Sequence, residues 1–207
     1  MMRLSEVDDI DQKLTNGGVC ILPTETVYGL AGHAYNSDAI DKIYAIKGRD
    51  FNKPLALCVR DIGMMYEYTS DIDIAPLLTA VFWPGPLSLV VEADLDCHPF
   101  DRRLMGKNED GKKTISFRCP DAEWRKKISI MPLALTSANR SGESDTRTAH
   151  DARAAIGAEV DYILDGPDCE IGVASTILAV KGKTAKVLRQ GSLGPEDFAP
   201  YDIDWVN

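Results

Sequence analysis

The 207-residue sequence is short of basic residues, aromatics, histidine and paired cysteines. Lys and Arg total 23 against 32 Asp and Glu, a formal net charge of −9, which excludes a generally basic nucleic-acid-coating surface. Cys20, Cys58, Cys97, Cys119 and Cys169 are scattered, odd in number and never spaced C-x-x-C, and His33, His98 and His150 lie far apart. No zinc pattern forms, so no metal site is expected from this sequence. All five cysteines are expected to be reduced thiols, which suits a cytoplasmic protein. The opening MMRLSEVDDIDQK has no apolar core, so a secretory signal is not expected. Residues 74 to 91 carry no charge, but Pro76, Pro84, Gly85 and Pro86 would break a spanning helix, and no membrane partner is expected. Also missing are the G-x-x-x-x-G-K-[ST] loop, a G-x-G-x-x-G turn after a strand, H-E-x-x-H and G-x-S-x-G.

What is present is an ordinary globular composition, 44% apolar and 27% charged. At this length one domain is expected. Helices are expected over 4–16, from a Ser37-Asp38 cap to Lys47, over 61–68, over 71–82, from an Asp121 cap to about Ile128, and after the capping box at 148–151. Strands are expected at 19–22, 55–59, 87–91, 113–118, 133–136, 162–164, 175–180 and 186–189, with 94–112 a polar, mobile connection. Thr24-Glu25-Thr26 reads as a polar turn. The last four strands have short links, so part of the sheet is expected to be antiparallel. The fold class is α/β: a twisted mixed parallel/antiparallel sheet with flanking helices.

Polar residues sit just beyond the apolar strands, where open α/β sheets commonly bind ligands. They are Thr24 and Thr26 after the first strand, Ser137 and Asn139 after 133–136, Arg189 at the end of the last strand, and Arg118 ending 113–118. Lys47 and Arg49 stand at a helix end, with Lys53 close behind. Each has a plainer reading. Lys47 and Gly48 suit a helix C-terminus, Ser137 and Asn139 are turn residues, and Arg189 suits an exposed surface. Trp83 to Leu87 reads as a rigid packed corner, and Glu25 is a weak candidate for a general base. Together the residues describe an anion site. Guanidinium groups clamp carboxylate or phosphate through paired hydrogen bonds, and lysine adds a point charge.

Seven short motifs occur in one order: PTETVYGL from Pro23, Lys47 and Arg49 followed by Lys53-Pro54-Leu55, WPGPL from Trp83, Arg118 to Pro120, SANRSG from Ser137, Ser175 to Ile177, and Leu188 to Gly191. The chain resembles the YrdC-type threonylcarbamoyl-AMP synthases over residues 4–198, in their short form with no second domain. The resemblance implies a YrdC-like catalytic domain with a concave, positively charged cavity. It also implies condensation of L-threonine, bicarbonate or CO2, and ATP into threonylcarbamoyl-AMP, with release of pyrophosphate. The group then passes through partner proteins to an adenosine of tRNA. Thr24, Arg118, Ser137 and Ser175 would hold threonine. Lys47, Thr114, Asn139 and Arg189 would hold ATP, with Arg49 and Lys53 along its phosphates. Lys47, Arg49, Ser137 and Asn139 form the family's signature and would be the catalytic set. Mg2+ would accompany the ATP. Leu57, Cys58 and Val59 stand where some relatives carry a histidine, so no threonine contact is expected there. The competing readings are an RNA-binding module, or a regulatory nucleotide-binding subunit, without synthase activity.

Overall fold

The computed structural model of the chain describes residues 3–69, 73–93, 98 and 100–206. Its first helix, α1 (Leu4–Thr15), leads into β1 (Val19–Leu22) and then β2 (Gly29–His33). Helix α2 (Ser37–Lys47) precedes β3 (Ala56–Cys58), α3 (Ile62–Tyr66), α4 (Ala75–Phe82) and β4 (Leu87–Glu92). A 3-10 turn at Arg102–Leu104 runs into β5 (Met105–Lys107) and β6 (Lys113–Arg118). The second half holds α5 (Trp124–Lys127), β7 (Leu133–Ser137), α6 (Ala149–Ile156), β8 (Tyr162–Ile163), β9 (Thr176–Lys181), β10 (Thr184–Arg189), α7 (Pro195–Phe198) and β11 (Asp204–Trp205).

The eleven strands of the described residues join one mixed sheet, in the order β11-β10-β9-β4-β6-β3-β7-β2-β1-β8, with β5 added beside β6. Pairs β1/β8, β3/β6, β4/β9 and β10/β11 are parallel, and the other pairs are antiparallel. This is the α/β mixed sheet with flanking helices that the sequence implied, with one correction. Of the last four expected strands, only β9 and β10 pair with each other; β8 travels to the far end and lies parallel to β1.

The sheet is covered unequally, and that inequality places the cleft. At the β1 end both faces are buried. Val19 and Ile21 join the core that includes Ile40 and Ile43 of α2, while Cys20 and Leu22 pack with Val7, Ile10 and Leu14 of α1. Hence Val-Cys-Ile-Leu is apolar throughout, as a strand buried on two faces must be. At β4, β6 and β9 only one face is core. Leu87, Leu89, Val91, Ile115, Phe117, Leu178 and Val180 point into it. The alternate residues Ser88, Thr114, Ser116 and Arg118 face the other way, as the two-residue strand period requires.

Several boundaries differ from expectation for physical reasons. Strand β2 was not expected: two glycines in five residues dilute its apolar pattern. Asn36, not Ser37, caps α2, accepting from the Ala39 N–H at 3.0 Å. Glu123, not Asp121, precedes the short α5 and gives it no side-chain cap, and the Asp121 N–H donates to the Glu25 carboxylate. The connection after β4 is partly ordered as β5, whose Met105 to Lys107 pair with β6. Residues 94–97 and 99 of that connection, and the expected start of α4 at 71–72, lie outside the described residues.

Cys20, Cys58, Cys119 and Cys169 are free and buried, and Cys97 lies outside the described residues. Burial pushes the Cys20 thiol up to about 12 and the Cys119 and Cys169 thiols to about 11, and raises Cys58 as well. Among the described residues no helix is long and apolar enough to cross a membrane.

Candidate active site

Helix α2 delivers the first functional group. It ends at Gly48, whose positive φ of 56° lets the Arg49 N–H turn back to the Tyr44 carbonyl at 3.1 Å. Lys47 is thereby held in the last turn, nearly inaccessible to water. Its ammonium spends all three donors on one loop: Ser137 O at 2.6 Å, Asn139 O at 2.7 Å and Asn139 Oδ1 at 3.1 Å. The loop answers from its own side. Ser141 N–H donates to Lys47 O at 2.8 Å and Arg140 Nη1 to Ile46 O at 2.8 Å, which also satisfies the last carbonyls of α2. Ser137 Oγ donates to Asn139 Oδ1 at 2.6 Å, and Asn139 Nδ2 to Glu143 O at 2.7 Å. The plainer reading of Ser137 and Asn139 as loop residues is therefore true, and it is also what joins the K-x-R and S-x-N segments. Burial, and secondarily the Arg49 charge, lower Lys47 to about 8.

A cavity of about 170 Å³ opens beside this junction, on the uncovered face of the sheet. Thr24, Arg49, Arg118, Ser137, Ser175 and Arg189 all reach its wall. Arg49 is pinned by Nε to Lys53 O at 2.9 Å and Nη2 to Pro54 O at 3.0 Å. Arg189 grips the start of β9, with Nη2 2.7 Å and Nε 3.1 Å from Ser175 O. It sits below its ordinary pKa chiefly through burial, with Asp145 opposing and the Arg118 and Arg49 charges adding. Arg118, last in β6, is 4% exposed and is paired with Glu25. Thr24 closes its own turn, its hydroxyl donating to Val27 O at 2.6 Å.

Four of the residues expected at the site are placed elsewhere. Lys47 and Asn139 stand behind Ser137 and do not reach the cavity wall. Thr114 lies two residues before Ser116 on the same face of β6, in an adjoining cavity of about 340 Å³. Lys53 is exposed, and it is the Lys53 carbonyl, not its ammonium, that takes part by holding Arg49 and Tyr44. Conversely, Ser88 and Ser116 line the cavity without having been singled out. Ser88 lies opposite Arg118 in register, and its hydroxyl is 2.9 Å from that of Ser175. The available signal was a small polar residue at the non-core position of an alternating strand. The Glu25 carboxylate is turned to Arg118 and the Asp121 N–H, and Glu25 is absent from this wall.

A larger cavity, about 490 Å³, meets the first at Thr24. Among the described residues Glu6, Glu25, Asp121, Glu123, Asp165, Asp168 and Glu170 line it, against a single base, Arg3. That wall repels anions, so size does not decide between the two; the arginine-lined cavity is the one fitted to an anionic ligand.

The molecule is thus an α/β protein that presents arginines and small hydroxyl side chains from several strand ends and loops around one cavity on an open sheet face. Residues 12–191 match the family model Sua5_yciO_yrdC, described as "Telomere recombination". A Methanocaldococcus jannaschii protein is 32% identical over 197 residues, spanning 95% of this chain and 91% of that one. The threonylcarbamoyl-AMP synthase of Bacillus subtilis is 34% identical over 199 residues, spanning 92% of this chain and 56% of that one. The crystal structure of Pyrococcus abyssi Sua5 complexed with L-threonine superposes with a TM-score of 0.88 at 28% identity, over 100% of this chain and 60% of that one. The chain belongs to the Sua5/YciO/YrdC family.

Proposed function

We propose that this chain is a threonylcarbamoyl-AMP synthase, joining L-threonine, bicarbonate or CO2, and ATP with release of pyrophosphate. The observation that carries this reading is the convergence of Arg49, Arg118 and Arg189 with Thr24, Ser137 and Ser175 on one cavity. Threonine would lie against Arg118, its carboxylate on the guanidinium, with Thr24, Ser137 and Ser175 around it. The nucleotide would run from Arg189 and Arg49 along the face of β6 past Ser116 toward Thr114. Lys47 and Asn139 would act by fixing Ser137 and by supplying charge from behind the wall; Lys53 would add only long-range charge. The family relationship and the threonine-bound relative support the substrates.

No enzyme nucleophile is needed. The threonine amine attacks the carbon of CO2 and loses a proton, giving a carbamate. A carbamate oxygen then attacks the α-phosphorus of ATP and pyrophosphate leaves with its electron pair. The protein's part is to hold the reactants in line and offset the charge that builds on the phosphates. Mg2+ would enter with the nucleotide. Among the described residues the cavity wall carries no Asp or Glu, so the ion's ligands would be phosphate oxygens and water. We place the reaction in the cytoplasm, where partner proteins would pass the threonylcarbamoyl group to tRNA.

The test is to incubate the protein with threonine, bicarbonate, ATP and Mg2+ and to detect both threonylcarbamoyl-AMP and pyrophosphate. Formation of both only when threonine and bicarbonate are present is the expected result. Nucleotide binding with no turnover would overturn the proposal.

A further inference from the structure

Glu25 stands on the boundary between the acidic cavity, which it lines, and the arginine-lined cavity, where its partner Arg118 points. The pair is almost dry, with side-chain exposures of 5% for Arg118 and 11% for Glu25. Glu25 Oε1 accepts from Arg118 Nη2, and Oε2 accepts from the Asp121 N–H at 3.0 Å. One carboxylate therefore holds the end of β6 twice: at the side chain of its last residue, and at the main chain three residues on. Glu25 is itself anchored, its carbonyl accepting from the Ile171 N–H at 3.0 Å. The other contacts of the guanidinium are long: Nη1 to Leu87 O and Nη2 to Thr26 Oγ1, both 3.4 Å.

A long arginine side chain left to itself has wide rotamer freedom, and a dry guanidinium without a partner is costly. Glu25 removes both problems while using a single nitrogen. A substrate carboxylate needs two parallel N–H donors for a forked contact, and Arg118 keeps further donors for one. We infer that Glu25 is a positioning residue for the amino-acid substrate: it aims the Arg118 guanidinium into the cavity and sets the plane in which a carboxylate is received. This rests on the reading of Arg118 as the partner of the threonine carboxylate.

The experiment compares wild type with Glu25→Gln and Glu25→Asp. Glutamine keeps the shape and an acceptor for the Asp121 N–H but drops the charge. Aspartate keeps the charge but is one methylene too short to serve both partners. Both variants are expected to raise KM for threonine on the order of tenfold, below the roughly hundredfold that a full 1 Å misplacement can cost. KM for ATP is expected to stay within about twofold. If Glu25→Gln does not fold, Glu25→Asp carries the same comparison. An unchanged threonine KM in the folded variants overturns the inference. So does a parallel rise of both KM values with a lowered melting temperature, which would mark Glu25 as a support of the fold alone. Calorimetric titration of wild type with threonine separates the two layers. No binding by wild type defeats the substrate reading, and this inference with it; binding that the variants leave intact defeats only the role of Glu25.

Discussion

At the scale of single residues, the junction behind the cavity is built on an ammonium group with three protein acceptors. Lys47 is lowered from an ordinary 10.5 to about 8, burial being the larger cause. Between those values the unfolded chain holds a proton that the folded chain has lost, so this group's contribution to stability rises with pH across that window. Function moves the other way. Deprotonation removes charge from behind the cavity and takes one donor from the oxygens of Ser137 and Asn139. KM for ATP is therefore expected to climb as pH passes about 8, while a Lys47→Met variant shows weaker binding with that rise absent. Steady-state kinetics from about pH 7 to pH 9 check this; a wild-type KM that is flat across the range would contradict it. Little of this was legible in the sequence. The residue types were, since Lys47, Arg49, Ser137, Asn139, Arg118 and Arg189 all stand out at strand and helix ends. Which of them touch the cavity and which stand behind it was not, because Lys47 and Asn139 are 92 residues apart and meet only through the fold.

At the scale of elements, alternation and capping were the readable signals. Lys113–Arg118 alternates because one of its faces is core and the other lines the cleft, and Thr148 caps α6 as expected, accepting from the Asp151 N–H at 3.0 Å. Strand β2 was hidden by its glycines, and β5 by the polar hairpin that carries it. The junction of β9 and β10 adds a requirement that no periodicity reveals. A Cβ on Gly191 would lie 2.3 Å from Ala174 O and 2.4 Å from the Ser175 carbonyl carbon, where Arg189 takes its grip. Gly191→Ala is expected to cost about 1–3 kcal/mol, the usual range for forced overpacking, and to weaken nucleotide binding by shifting Ser175 and Arg189. Urea denaturation together with KM for ATP tests both parts; a variant as stable and as active as wild type would show that the loop yields freely.

At the scale of the whole molecule, the net charge of −9 coexists with a cleft of arginines because the two signs are segregated. Acidic side chains crowd the larger cavity beyond Glu25, and three arginines share the smaller one. Such a surface is not expected to retain duplex RNA or tRNA in a gel shift at about 0.15 M salt, since basic residues gain most of their RNA affinity by releasing counterions from phosphates. A salt-sensitive retarded band would revive the RNA-binding reading. The four buried thiols have a different consequence. An alkylating reagent can reach a buried cysteine only while the structure around it is open. Cys20 on β1, Cys58 on β3, Cys119 just past β6 and Cys169 before β9 therefore form a set of built-in clocks, each timing the opening of its own part of the sheet. With Cys97 replaced by serine, the clock at Cys119, next to Arg118, would slow when a ligand occupies the cleft, while the clock at Cys20 kept its pace.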